Sequence, residues 1–347
     1  MYKYSKYLLY RTAQYQQFHF NVSLETSNIP IQQIFKHPMS NQAGNDGHKR
    51  PEHVKLTSEQ KRQNDIYDAN IVRIQNLSPT IKGFTLQIKS TASKMPTFMA
   101  GQWVDFFIPG LDKIGGYSMS SEPSHFKKEG ELELAVKFSS WAPAHWLHTK
   151  AKVGSNVAFR VGGNFHYPNQ ITNSVQITNG NAHDLLLVAG GVGINPLASI
   201  FLNAYEMKRS ASEQDKVPSL RQVNLLYSSK TKEELIFRDK IETVISCTSL
   251  QRDYRIRDQN QFNAKYFVTR QGDENLIDVS TKYKRIDLDE LKAAVCTNAD
   301  GDSDEKRPKI PLYCYLCGPP EMIKQISNIL ISILNVPEKH VFYEMWW

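Results

Sequence analysis

Cysteine is scarce in this sequence, with four in 347 residues. That is too few for a disulfide framework in a chain of this size, so a reducing compartment is the expectation. No C-x4-C-x2-C run occurs, which speaks against an iron-sulfur centre. The one C-x-x-C pair, Cys314 and Cys317, has no second pair to complete a zinc site. The sequence has no Ser-His-Asp or nucleophile-elbow pattern, and its ten histidines show no metal spacing. Long apolar runs are missing as well. The longest nearly unbroken one, "LLLVAGGVGI" from Leu185 to Ile194, is far short of the roughly 20 residues of a membrane-spanning helix, so no transmembrane segment is expected. Acidic residues are absent from Met1 to Leu24, where Lys3, Lys6 and Arg11 alternate with Tyr, Leu and Phe. This is the charge pattern of an organelle transit peptide, and a basic tail is the other reading of it. The expected compartment is the mitochondrion, or otherwise the cytoplasm.

The length allows two domains with full cores plus an extension. The net charge of +7 arises from scattered Lys and Arg with no nucleic-acid motif, so it reads as a solvated basic surface and no nucleic-acid partner is expected. Residues 1–66 are expected to form an N-terminal extension. Within it, His37 to Asn64 is polar and rich in breakers, and reads as a linker too poor in apolar surface to order itself. Residues 67–170 carry six short β-rich runs, "NIVRIQ", "GFTLQIK", "GQWVDFFI", "GYSMSS", "ELELAVKF" and "NVAFRV", with one helical patch, "WAPAHWLHTK". Such spacing predicts an antiparallel barrel. Residues 180–347 alternate strand and helix, which predicts a doubly wound parallel sheet. Its expected helices include Pro196 to Arg209, Thr231 to Ile245 with Thr231 and Glu234 at capping-box spacing, and Pro319 to Leu334. Thr297 to Lys309 reads as a solvated loop.

In "LLLVAGGVGINP" a strand ends in Gly190, Gly191, Val192 and Gly193, and Asn195 and Pro196 then stand at N-cap and first-turn positions of a helix. A glycine loop at a helix N-terminus directs unpaired N–H groups and the positive end of the helix dipole at a phosphate. In "LYCYLCGPPEM" the two cysteines lie three apart on an extended strand, so they face opposite ways and cannot share a metal or a disulfide. Cys314 reads as a buried strand residue. Cys317, followed by Gly318, stands at the carboxyl edge, where open α/β sheets hold ligands.

Taken together, "GGYSMSS", "AGGVGINP", "YLCGPPEM" and an aromatic C-terminus resemble the ferredoxin-NADP reductase family of flavin and pyridine-nucleotide oxidoreductases, over about Asn70 to Trp347. The resemblance implies an FAD-binding β-barrel, an NAD(P)-binding α/β domain, and hydride transfer from NAD(P)H to flavin, with electrons leaving for an unidentified acceptor. It places Tyr117 along the isoalloxazine and the Ser118 hydroxyl near flavin N5. Gly190, Gly191, Val192, Gly193, Asn195 and Pro196 match the dinucleotide phosphate loop. Cys317 and Gly318 match the nicotinamide edge, Glu344 the C-terminal acidic residue, and Trp347 the ring that stacks on flavin. Ser118, Cys317 and Glu344 are the expected catalytic residues.

The sequence also departs from the family. Gly115 replaces the arginine that binds flavin phosphate, and Trp141 and Ala144 replace a second phosphate element. His145, His148, Arg160 and Lys137 are the nearby basic candidates to compensate. Lys230 and Arg270 are the cations available to a ribose phosphate if the nucleotide is NADP, while the resemblance favours NAD. Two readings follow: a flavin-dependent oxidoreductase, or a nucleotide-binding scaffold that has lost flavin and activity.

Overall fold

In the first half of the chain, apolar residues alternate with polar ones over short runs, and these runs pair as antiparallel strands. The computed structural model describes residues 52–89, 95–168, 182–210, 220–250, 261–270, 281–296 and 310–345. The transit-peptide segment, the loop at 297–309 and Trp347 lie outside these residues. The first six strands are β1 (Tyr67–Ser78), β2 (Ile81–Ile88), β3 (Trp103–Phe107), β4 (Gly115–Ser118), β5 (Glu131–Lys137) and β6 (Asn156–Gly162). They form one sheet in the order β4-β3-β6-β1-β2-β5. Val104 and Phe106 of β3 enter the same apolar cluster as Phe84, Leu134, Val157 and Phe159, which fills the barrel. The edge strands β4 and β5 leave a seam, joined where Met119 bridges Leu134 and Ser120 and Ser121 hydrogen-bond the Glu133 backbone.

The linker expectation fails for the residues from Glu52 onward. They form a short helix, α1 (His53–Leu56), and lie across the outer face of β4, β3 and β6. The attachment is ionic rather than apolar, which is why composition missed it. Asp105 is fully buried and accepts hydrogen bonds from Arg62 Nε at 2.9 Å and Arg160 Nη2 at 2.7 Å, with His53 Nε2 at 3.0 Å. Burial pushes the Asp105 carboxyl up, but the hydrogen bonds from His53, Arg160 and Arg62 outweigh this and hold it below the usual range. Arg62 also lies 4.8 Å from the Trp103 ring centre. Two further helices complete this half: α2 (Pro123–Glu129), absent from the sequence reading, and α3 (Ala142–Thr149) in the predicted helical patch.

The second half contains β7 (His183–Gly190), α4 (Ile194–Ser210), β8 (Leu220–Ser229), α5 (Arg238–Leu250), β9 (Phe262–Val268), a two-residue β10 (Thr281–Lys282), α6 (Leu288–Cys296), β11 (Leu312–Gly318), α7 (Pro320–Asn328) and β12 (Val341–Met345). The strands are parallel, in the order β10-β9-β8-β7-β11-β12. β7 and β11 are buried along their whole lengths because helices cover both faces. The two-domain class expected from the sequence, an antiparallel barrel followed by a parallel α/β sheet, is the observed architecture.

Two local expectations are corrected. The capping box at Thr231 and Glu234 does not form. A 3-10 turn spans Lys232–Glu234, Phe237 takes a left-handed φ of 64°, and the helix begins at Arg238. Glu234 instead crosses to the barrel, accepting from Lys137 Nζ at 2.7 Å and Thr80 Oγ1 at 2.8 Å. The helix after the glycine loop opens at Ile194, so Asn195 lies inside it and is not its N-cap. Its Nδ2 donates 2.7 Å to the Ala135 carbonyl of β5. Ser199 Oγ donates to the Ser121 carbonyl at 2.7 Å, and Tyr167 Oη lies 2.8 Å from His183 Nε2, so barrel and α/β sheet share one continuous core. Among the described residues no helix is long and apolar enough to cross a membrane.

Candidate functional site

At the carboxyl edge of the parallel sheet the chain leaves β7 toward β8 on one side, while β11 lies on the other. Such a reversal of strand order opens a crevice. Both expected loops fall there. Ala189 is the register partner of Cys317, and Cys317 in turn is the partner of Glu344 on β12. A Cβ on Gly318 would lie 3.0 Å from the Cα of Gly190, so glycine at these strand ends lets two backbones nearly touch. A Cβ on Gly193 would collide with the Cys317 carbonyl, which makes that glycine a packing requirement. Gly191 serves differently. Its φ is +56°, and nothing lies within 4 Å of where its Cβ would be, so its outer face is open.

The cysteines divide as expected. Cys314 packs in the cluster with Leu186, Val188 and Ile323, and Cys317 in the opposite one with Ala189 and Ile194. Burial raises the Cys314 thiol far above its ordinary value, which makes it inert. Ser118, at the end of β4, comes across from the barrel and donates from Oγ to Glu344 Oε2 at 3.4 Å. The structure therefore brings Ser118, Cys317, Gly318, Glu344 and the Gly190–Gly193 loop to one crevice. Trp347 lies outside the described residues. Among the described residues no group of three or more His, Cys, Asp or Glu could hold a metal.

These residues fit a dinucleotide. The open side of Gly191 gives a phosphate a backbone cradle at the head of the 17-residue α4, and Asn195 keeps a buried Oδ1 with no hydrogen-bond partner among the described residues. At the carboxyl ends of the next strands, Arg270 N donates to the Lys230 carbonyl at 3.0 Å, which sets the two candidate ribose-phosphate cations side by side in the backbone.

The barrel side fits a flavin at its ring end through Ser118, which meets the crevice. The Tyr117 hydroxyl, buried with no partner among the described residues, turns toward the barrel core rather than along a flavin ring as the resemblance implied. The phosphate end differs from the family. The Tyr117 ring points inward and meets Phe106 edge-on at 5.6 Å. Burial drives its hydroxyl pKa far upward. A Cβ at Gly115 would lie 2.6 Å from Tyr117 Cε2 and 3.2 Å from Pro143 Cβ, so the place of the family's arginine is filled. Of the four candidate cations, Arg160 is bound to Asp105 and Lys137 to Glu234. His148 lies 2.9 Å from the Val136 carbonyl, with burial lowering its pKa. His145 stays exposed on α3.

Sequence reasoning missed the interdomain contacts of Asn195 and Glu234 and the Asp105 cluster. The signal for the last lay in two glycine pairs. Gly116 leaves room for the His53 ring, and a Cβ on Gly162 or Gly163 would come within 2.6 or 2.7 Å of the Trp103 indole.

Fold and crevice together define a two-domain fold of the ferredoxin-NADP reductase type. A ferredoxin NADP+ reductase from Neisseria gonorrhoeae with bound FAD and NADP superposes with a TM-score of 0.56 at 19% identity, covering 82% of this chain and 100% of its own. No family model matches the chain. It is 39% identical over 301 residues to the oxidoreductase NAD-binding domain-containing protein 1 of Danio rerio, covering 86% of this chain and 98% of that one. The chain belongs to this family, oxidoreductase NAD-binding domain-containing protein 1. A shorter match, 30% identical over 141 residues and covering 40% of this chain and 35% of the relative, is to the phenol 2-monooxygenase reductase component DmpP of Pseudomonas sp. strain CF600.

Proposed function

We propose that this oxidoreductase uses NAD(P)H to reduce a flavin held on the barrel and passes the electrons to a separate acceptor. The observation that carries the reading is the convergence of Ser118 and Glu344, 3.4 Å apart, with Cys317 opposite Glu344 in the register and the glycine loop beside it. The loop amides and the α4 dipole hold the pyrophosphate. Cys317 and Gly318 flank the nicotinamide at the strand ends. Glu344 orients the Ser118 hydroxyl. The short distances and buried surroundings position the donor and exclude water. Trp347, by its place in the resemblance, covers the flavin ring until nicotinamide arrives. A flavin, when bound, supplies a hydride acceptor that releases electrons one at a time.

The test is an absorbance spectrum of the purified protein, repeated after anaerobic addition of NADH. Flavin bands that bleach support the reading. A second reading, the scaffold without flavin, is favoured by Gly115, Trp141 and Ala144. A colourless protein that neither FAD nor FMN reconstitutes decides for it. Mitochondrial targeting belongs to the proposal through the acid-free basic Met1 to Leu24. A reporter carrying about the first 40 residues that stays in the cytosol removes it.

A further inference from the structure

Where the family's phosphate anchors would stand, the protein is closed. Tyr117 leans over Gly115 with Pro143 against it, and Ala144 is buried and lacks a hydroxyl. Restoring an arginine at Gly115 would require Tyr117 to leave. An anionic ligand tail therefore has to go elsewhere. On α3, Pro143, Ala144 and Leu147 face the barrel, and the neighbouring face borders an open groove of about 350 Å³ lined by Leu111, Ser140, Ala142, His145, Trp146 and Lys150. This volume lies within the range of small-molecule sites, roughly 300 to 1,000 Å³.

The groove has what the closed position lacks. Among the described residues neither His145 nor Lys150 makes an ion pair, whereas Arg160 and Lys137 are bound to carboxylates. Ser140 adds a hydroxyl, and Trp146, packed in part against the barrel core, adds a flat apolar wall. A phosphate-bearing aromatic ligand matches a cation and a hydrogen-bond donor beside an indole face. The groove also lies near the barrel strand of the site: its lining residue Ala142 precedes Pro143, which packs against Gly115 on the strand that carries Tyr117 and Ser118.

We propose that the phosphate-bearing part of the flavin is held in this groove, one helix face away from the family's position, with Lys150 as its cation and His145 as a hydrogen-bond donor. The inference rests on the flavin reading above. It accounts for a chain that keeps the ring-end residues while Gly115, Trp141 and Ala144 have replaced the anchors.

The test compares binding of FAD, FMN and riboflavin by flavin fluorescence in the full chain and in His145→Ala, Lys150→Ala and the double variant. Both positions are exposed, and an unchanged circular-dichroism melt verifies that each variant folds. The expected result is that the wild type prefers FAD and FMN over riboflavin. The double variant should lose about tenfold or more in affinity for the phosphorylated forms, with riboflavin binding unchanged. Raised salt should weaken only the phosphorylated forms. Flavin binding that is indifferent to phosphate, or to both substitutions, overturns the groove and leaves the flavin reading standing. Failure of the wild type to bind any of the three overturns that reading, and the groove with it.

Discussion

The Ser118 hydroxyl of the barrel donates to the Glu344 carboxylate at 3.4 Å, joining residues 226 apart in the chain. Glu344 in turn stands opposite Cys317 in the register of β11 and β12. One carboxylate thus hydrogen-bonds a hydroxyl of one domain and stands in strand register with a cysteine of the other. Cys317→Ala removes a single buried heavy atom, so unfolding free energy should change by only about 1 kcal/mol. Flavin reduction by NADH, followed anaerobically in a stopped-flow instrument, should slow by at least about tenfold, because the group flanking the donor is lost. An unchanged rate removes Cys317 from the reacting site.

Gly191 and Gly193 should respond differently to alanine. At Gly193 the new methyl meets the Cys317 carbonyl, a backbone atom that cannot swing aside, so the loss should be about 1 to 3 kcal/mol or more. At Gly191 the methyl enters open space and only the left-handed φ of +56° opposes it, about 1 to 2 kcal/mol. Urea midpoints of the two variants measure the order.

Asp105 is the shared partner of Arg62 and Arg160, with His53 against its other oxygen. Asp105→Ala strands two buried or half-buried guanidinium groups and should destabilise by about 3 to 5 kcal/mol. It should also release the segment around His53, read as faster proteolysis N-terminal to β1. A variant as stable as the wild type shows that the cluster is ornamental to folding.

His183 gives the stability a pH dependence of known sign. Burial, with Lys208 adding repulsion, lowers its pKa to about 4. The folded ring is therefore neutral, whereas the unfolded ring titrates near 6.5. Between about pH 6.5 and 4 the unfolded chain binds the extra proton, so stability from this group is full above 6.5 and falls as pH drops through the window, by about 3 kcal/mol in all. His183→Gln should flatten that part of the unfolding free energy against pH relative to wild type. Parallel profiles refute it.

Tyr117 buries a hydroxyl that has no partner among the described residues. Tyr117→Phe should therefore be neutral or stabilising by about 1 kcal/mol in the protein without ligand. A loss of stability shows that the hydroxyl is bonded.

The parts legible in the sequence were those governed by local rules. Period-two runs marked β1 to β6, "LLLVAGG" and "LYCYLC" marked buried parallel strands, and residues three apart on β11 had to face opposite cores, as Cys314 and Cys317 do. Glu234 and Asn195 were misplaced for one reason. Both look like helix-end residues, and a local cap competes with a distant partner. The partners that prevailed, Lys137 and the Ala135 carbonyl, belong to β5 of the other domain.

By itself the sequence determined the two sheets, the glycine loop at the head of α4 and the position of Cys317 at a strand end, because hydrophobic period and backbone freedom act within a few residues. Only the tertiary structure decided that the polar residues after Glu52 are part of the barrel, that Tyr117 occupies the space over Gly115, and that His145 and Lys150 make no ion pair among the described residues while Arg160 and Lys137 do. Those outcomes depend on which charges and volumes meet across the folded chain, and pairing between distant segments leaves no period in the sequence.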